Sequence, residues 1–303
     1  LGGIAFFSLI VMAILFVARN TSRPRTPTIP NVPIHASLNE WSKTQVGDET
    51  VFAREFVLGN ESKFLLETAS AEISIEGWDQ PKAEIKVIQR GGSADERERP
   101  RVDASMDRGN LAVRAPGSGR VRMEFAVKIP RRLAEVQVKT QSSEVSLSGI
   151  TAPVVVNTSS GAVALSTING AVSVNTQSGA IELREITGPV SIDTQSGDIS
   201  LEDVSGETKA SSISGDVSLV FEDAKLERAI RLNTKSGDIE IELGPDPNGD
   251  LKADTLSGQI DVDDEVSVDV RKNVVGQQAS GQFGRGGQPV SMSTISGRIK
   301  ISK

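Results

Sequence analysis

Apolar and polar residues alternate along most of this chain, and the alternation is broken at regular places. Val190, Ile192 and Thr194 keep one phase, Ser196-Gly197 interrupts it, and Ile199 and Leu201 resume it. Period-two alternation in short runs predicts half-buried β-strands. The phase slips by one residue at each Ser-Gly, where glycine supplies the positive φ that a sharp bend needs. A third apolar residue follows each pair (Ile168, Ile186, Val204) and leads into a bend at Asn169-Gly170, Thr187-Gly188 or Ser205-Gly206.

The interruptions mark a repeat. Ser-Gly, or Ser142-Ser143 in its first form, begins at Ser142, Ser160, Ser178, Ser196 and Ser214 at a spacing of 18, then at Ser236, Ser257 and Ser296 at spacings of 22, 21 and 39. One template runs through all eight copies: apolar, x, apolar, x, Thr or Ser, x, Ser, Gly, x, apolar, x, apolar. An outlying copy stands at Phe64, Leu66, Thr68, Ser70, Ala71, Ile73 and Ile75. Such a unit holds two or three short strands and leaves no residues for a helix.

Two architectures use units of this kind. Stacked hairpins need tight two-residue turns. A β-solenoid coils the chain so that equivalent residues stack at about 4.8 Å. The even period favours coiling, as do the like-on-like columns Val156/Val174/Ile192, Leu147/Leu165/Leu183/Leu201/Leu219 and Thr140/Thr158/Thr176/Thr194. The expected fold is therefore all-β: a parallel β-helix-like solenoid of 18-residue repeats, preceded by one N-terminal transmembrane helix. Residues 136–303 form the regular repeats, and 49–135 an irregular first part that caps the stack. Within that part "FLLETASAEISIEGWDQPKAEIKVIQR" reads as two strands around a turn, and 92–108 as a charged, solvated loop.

Ahead of the repeats stands "LGGIAFFSLIVMAILFVARN", uncharged from Ile4 to Ala18. Residues 1–18 are read as a single membrane anchor. A signal peptide is the rival reading, although no small-x-small cleavage site comes after the apolar run, and a buried core helix is the bland one. Residues 19–48 carry Pro24, Pro27, Pro30 and Pro33 and read as an extended stalk. Arg19, Arg23 and Arg25 favour a cytoplasmic side for the chain beyond the anchor. Analogy with other Ser/Thr/Gly-rich solenoids on one anchor favours the outside, and that is the expectation adopted.

Composition narrows the chemistry. A net charge of −7 with scattered basic residues argues against nucleic acid. Cysteine is absent, so there is no thiol nucleophile, disulfide or zinc-thiolate site, and the one histidine, His35, lies in the stalk. Two carboxylates at the right separation could hydrolyse a glycoside, but aromatics make up only 4% of the chain. Trp78 is the one plausible sugar platform, with covering the end of the core as the plainer role. Asp198, Asp216 and Asp238 follow Ser-Gly in three successive units. Stacked, they would repel, and Ca2+ is the only cofactor the sequence suggests, although aspartate also suits a tight turn. The Asn157/Asn175/Asp193 column reads as a structural ladder. "NVVGQQASGQFGRGGQP" (273–289) lacks the Lys-Ser/Thr of a phosphate loop and reads as a surface loop, with Phe283 and Arg285 as partner contacts.

Four stretches together resemble the DUF4097 family of bacterial β-strand-repeat proteins, in which adhesin roles are inferred from repeat character. They are "ETASAEISIEGWD", "VKIPRRLAEVQVKTQSSEVSLSG", the T-x-S-G-D-I-x-L units and the terminal "STISGRIKI". The resemblance implies a solenoid-like fold, often exported on an N-terminal membrane helix, and no catalytic residues to carry over. The expected function is a non-catalytic, membrane-anchored, extracytoplasmic binding or scaffold module, adhesin-like, that holds an envelope or surface protein or glycan. A sensor or accessory partner in envelope-stress signalling is the alternative, and a carbohydrate-active β-helix enzyme the third.

Overall fold

The structure is a computed structural model and describes residues 40–303 except 94, 118, 222–227, 245–246, 264–265, 267 and 273–275. The expected anchor and most of the stalk lie outside the described residues. Among the described residues no helix is long and apolar enough to cross a membrane.

Among the described residues the fold is all-β, with two parallel-rich sheets of 13 strands each and a single 3-10 turn at Asp95–Arg97. Successive repeats place one strand in each sheet. Glu144–Ile150, Val163–Ile168, Ile181–Ile186, Ile199–Val204 and Val217–Val220 are neighbours in sheet 1. Glu135–Thr140, Val154–Asn157, Val172–Ser178, Val190–Ser196, Thr208–Ser214 and Ile230–Ser236 are neighbours in sheet 2. Pairing is parallel and in register with the repeat, Leu165 to Leu183 to Leu201 and Val174 to Ile192. Stacked hairpins are thereby excluded for this stretch, and the expected columns hold.

Each apolar column is interior. Val172, Val174, Ile181, Leu183 and Ile186 are buried, and so are their counterparts one repeat later. The threonine of each template also points inward. There Thr158 Oγ1 donates to the Ser160 carbonyl at 2.8 Å and Thr176 Oγ1 to that of Ser178 at 2.9 Å, so the corner keeps a partner inside the core.

Glycine at the corner is required by stacking. A Cβ on Gly179 would lie 2.2 Å from the carbonyl oxygen of Gly161, and one on Gly188 would lie 2.0 Å from that of Gly170. The third apolar residue has a different cause. Thr167, Glu185 and Asp203 sit at φ 54°, 53° and 52°, and the register skips them, pairing Ser166 with Arg184 and Ile168 with Ile186. This stacked bulge shifts the alternation by one, so Leu183 and Ile186, three apart, both face inward.

At the N-terminal end the outlying copy is part of the stack. Lys63–Thr68 pairs with Glu135–Thr140, and Glu72–Trp78 with Glu144–Ile150. The stretch read as two strands holds three, since Lys82–Gly91 follows. That strand joins Glu49–Val57 and Val121–Pro130 in an antiparallel meander, while Asp103–Asp107 and Asn110–Ala115 form a hairpin on sheet 2. Ser42–Val46 is an edge strand on Glu49–Val57, within residues read as stalk, and Trp41 packs against the core.

The C-terminal end departs from sequence order. Gln288–Ser296 inserts between Ile230–Ser236 and Gly249–Thr255, and Ile299–Ser302 between Ile239–Glu242 and Ile260–Val262. The residues read as a glycine-rich loop instead include the strand Gln277–Phe283, antiparallel to Gly249–Thr255, with Asp269–Lys272 beyond it.

Candidate functional site

The aspartate column is assembled as the spacing implies, and its chemistry is hydrogen bonding along the stack. Asp198 Oδ1 accepts the Asp216 N–H at 3.0 Å, Asp216 Oδ1 the Asp238 N–H at 2.8 Å, and Asp238 Oδ1 the Arg298 N–H at 2.7 Å. Each carboxylate thus holds the amide of the next rung, a bond strengthened by its charge. One oxygen of each is committed, leaving the other for water or a cation. Among the described residues no group of three or more His, Cys, Asp or Glu is arranged to hold a metal ion. The outer asparagine column is a ladder too, with Asn175 Nδ2 donating to Asn157 Oδ1 at 3.3 Å.

Trp78 ends a strand of sheet 1, opposite Pro130. Its indole N–H donates to the Lys82 carbonyl at 2.7 Å, and the ammonium groups of Lys82 and Lys128 stand 5.6 and 5.7 Å from the ring. Both lysines are also ion-paired, with Glu55 and Glu76. The ring is half-buried and already bracketed by cations, an arrangement that fixes it in place.

Phe283 and Arg285 separate. Phe283 is 4% exposed and belongs to the core, so its ring packs inside and offers no face to a partner. Alternation along Gln277–Phe283 decides this, since Ala279 and Phe283 face inward while Gln278 and Gln282 face outward. Arg285 is exposed in the turn that crosses the start of Gly249–Thr255, where its N–H is held by Asn248 Oδ1 at 2.8 Å. The six residues singled out from sequence therefore form no common site. The aspartates stand in one column, and Trp78 on a strand near one end of the stack and Arg285 in a turn near the other lie apart from it.

One charged group was not legible beforehand. Glu124 is 2% exposed on the outer side of the meander, and Arg90 bridges it to Glu49 with two contacts of 2.6 Å. Burial pushes the Glu124 carboxyl above the usual carboxylate range, against the pull of the Arg90 guanidinium, and neighbouring Glu72 adds to the rise. In sequence Glu124 looks like an ordinary polar position of "VRMEFAVKIP"; only the run of buried neighbours Phe125, Ala126 and Val127 hints at cover on both faces.

The family model described as Toastrack DUF4097 matches residues 62–302. No curated protein matches the chain at a significant level. Similar solved structures include a candidate adhesin from Bacteroides fragilis at 13% identity and TM-score 0.48, covering 83% of this chain and 96% of that one. A candidate lipid-binding protein from Parabacteroides distasonis is 15% identical with TM-score 0.41, covering 84% and 97% respectively. A candidate cell adhesion protein from Clostridium sporogenes is 13% identical with TM-score 0.26, covering 82% and 98%.

Proposed function

From the premise that this chain belongs to the Toastrack DUF4097 family, we propose that it is a non-catalytic binding or scaffold module, a β-solenoid held at a membrane by residues 1–18 and facing the extracytoplasmic side. The observation that supports this most is the use of its polar side chains. Asp198, Asp216 and Asp238 hold amides of the next rung, Asn157 and Asn175 bond to each other, and the corner threonines Thr158 and Thr176 hold carbonyls. Groups spent on building a rigid stack leave two long faces as the working parts, and a long rigid face serves recognition. An envelope or surface protein or glycan is the partner in this reading.

The test uses the full chain with a tag after Lys303. In cells whose outer membrane, where there is one, has been permeabilised, added protease should remove the tag, and beads carrying the full chain should retain envelope material that beads carrying a corner-disrupted variant release. A tag protected until the inner membrane is broken overturns the extracytoplasmic placement. Equal retention by folded and disrupted chains overturns the binding role.

A further inference from the structure

The outer face of sheet 2 changes character along the stack. At the position before each corner serine, the rungs read Gln141, Ser159, Gln177 and Gln195, then Ile213, Lys235, Ile295 and Leu256 in spatial order. Six large apolar side chains are exposed among the described residues, and three of them, Ile213 at 45%, Ile295 at 47% and Leu256 at 54%, fall in this one column. Scattered exposed aliphatics need no explanation, but a cluster in neighbouring rungs does. At about 4.8 Å per rung the ridge is roughly 14 Å long.

Four residues back along the same strands, about 13 Å away, runs a second column: Lys209, Arg231, Ser291 and Lys252. Lys209 is paired with Glu207, and Lys252 lies 3.6 Å from Asp254. Arg231 and Lys235 have no ion pair among the described residues, and the further carboxylates on this face are Asp250 and, one rung back beside Ser211, Asp193. On the opposite face of these rungs Glu240 pairs with Lys300 and Asp261 with Arg298, and Glu242 stands beside them. In a chain of net charge −7, a lysine without an ion pair set inside an aliphatic ridge, on a face where cations and carboxylates balance, distinguishes this patch.

We infer that this part of sheet 2 lies against a lipid surface bearing anionic headgroups. Ile213, Ile295 and Leu256 enter the headgroup–acyl boundary, Lys235 extends between them to the phosphates, and Arg231 meets headgroups further out. A protein partner fits less well: the ridge is far smaller than the roughly 800 Å² per side of a stable interface, and it offers no aromatic anchor. A fluid lipid surface needs neither. The inference rests on the anchored reading for proximity, because a tether makes a weak patch effective.

The test uses the full chain in liposomes of phosphatidylcholine with a minor share of phosphatidylglycerol. The chain has no cysteine, so one introduced thiol labels one site. A bimane at Ser293→Cys, beside the ridge, is compared with one at Ser200→Cys on sheet 1, using doxyl-lipid quenching. Quenching at 293 should exceed that at 200 by about threefold or more, and should fall toward the control with Ile295→Ser/Leu256→Ser or in pure phosphatidylcholine. A chain that floats with liposomes while both sites quench alike overturns this inference and leaves the anchor reading standing. Flotation lost in the ridge variant would overturn the anchor and keep the inference. Shielding of 293 that tracks protein concentration without lipid assigns the ridge to a second copy and overturns it.

Discussion

Replacing Gly179 by alanine tests the stacking argument most directly. The new Cβ would stand 2.2 Å from the Gly161 carbonyl oxygen, 2.7 Å from its carbon and 3.1 Å from its nitrogen, all of them backbone. An ordinary C···O contact is about 3.3 Å, so the rung must move away by roughly 1 Å. That movement stretches the Ser178 N–H bond to Ser159, now 3.0 Å, beyond useful length. The residue also sits at φ 121°, closed to L side chains. Overpacking costs about 1–3 kcal/mol, the disallowed backbone about 1–3 and the lost bond about 1. The sum, about 3–7 kcal/mol, corresponds to a fall in Tm of roughly 6–28 °C at about 2–4 °C per kcal/mol for a domain of this size. Gly59→Ala is the control, since nothing lies within 4 Å of its Cβ and its φ is ordinary; it should melt within about 2 °C of the parent. Circular dichroism melts of the two variants decide the matter. A Gly179→Ala chain that melts with the control refutes the claim that the corner is sterically closed.

Four further outcomes are expected. Glu185, at φ 53° in the stacked bulge, should accept glycine with a gain of up to about 1 kcal/mol and lose about 1–2 kcal/mol as valine, measured by urea midpoints; a tolerant valine would contradict the bulge. Arg90→Met leaves Glu124 buried without its cation, at a cost of about 3 kcal/mol near neutral pH. A raised carboxyl pKa means the folded state holds its proton where the unfolded state does not, so this loss should shrink as pH falls and Glu124 becomes neutral; a pH-independent loss in melts at acid and neutral pH would refute it. Asp216→Asn keeps an acceptor for the Asp238 N–H and should leave Tm almost unchanged, whereas Asp216→Ala should cost about 1 kcal/mol; a calcium-dependent rise in Tm that Asp216→Asn abolishes would assign the column to a metal instead. Deleting residues 288–303 removes the rung between Ile239–Glu242 and Ile260–Val262, so residues 249–283 should become the first sites of limited proteolysis, and continued resistance there would contradict the inserted order.

Much of this protein was legible without its structure. Period-two alternation fixed which side chains face inward, because a strand has only two faces, and an 18-residue period with matching columns dictated parallel rungs in register. The glycines announced corners, although the reason for them is partly different: each is crowded by the carbonyl of the rung beside it, and only Gly161, Gly179, Gly197 and Gly215 also have a positive φ. The aspartate column was visible as a column, but its partner, the next rung's amide, depends on a distance across the stack that no spacing reports. Phe283 shows the limit most clearly. A glycine-rich segment hides its alternation, and only pairing with Gly249–Thr255 turns the ring into the core.

The order of the last rungs was decided by tertiary structure alone. The copies at Ser257 and Ser296 carry the same template, so either could come next after the rung at Ser236 with the same columns aligned. Local sequence cannot choose between equivalent repeats. The choice falls to the antiparallel strand Gln277–Phe283, which occupies the far side of Gly249–Thr255 and leaves its other side for the final strand. The sequence by itself determined what each rung looks like, because that depends on residue spacing and sterics. Which rung lies next to which, and which outer faces join into one surface, was decided by pairing energies summed over residues far apart in the chain.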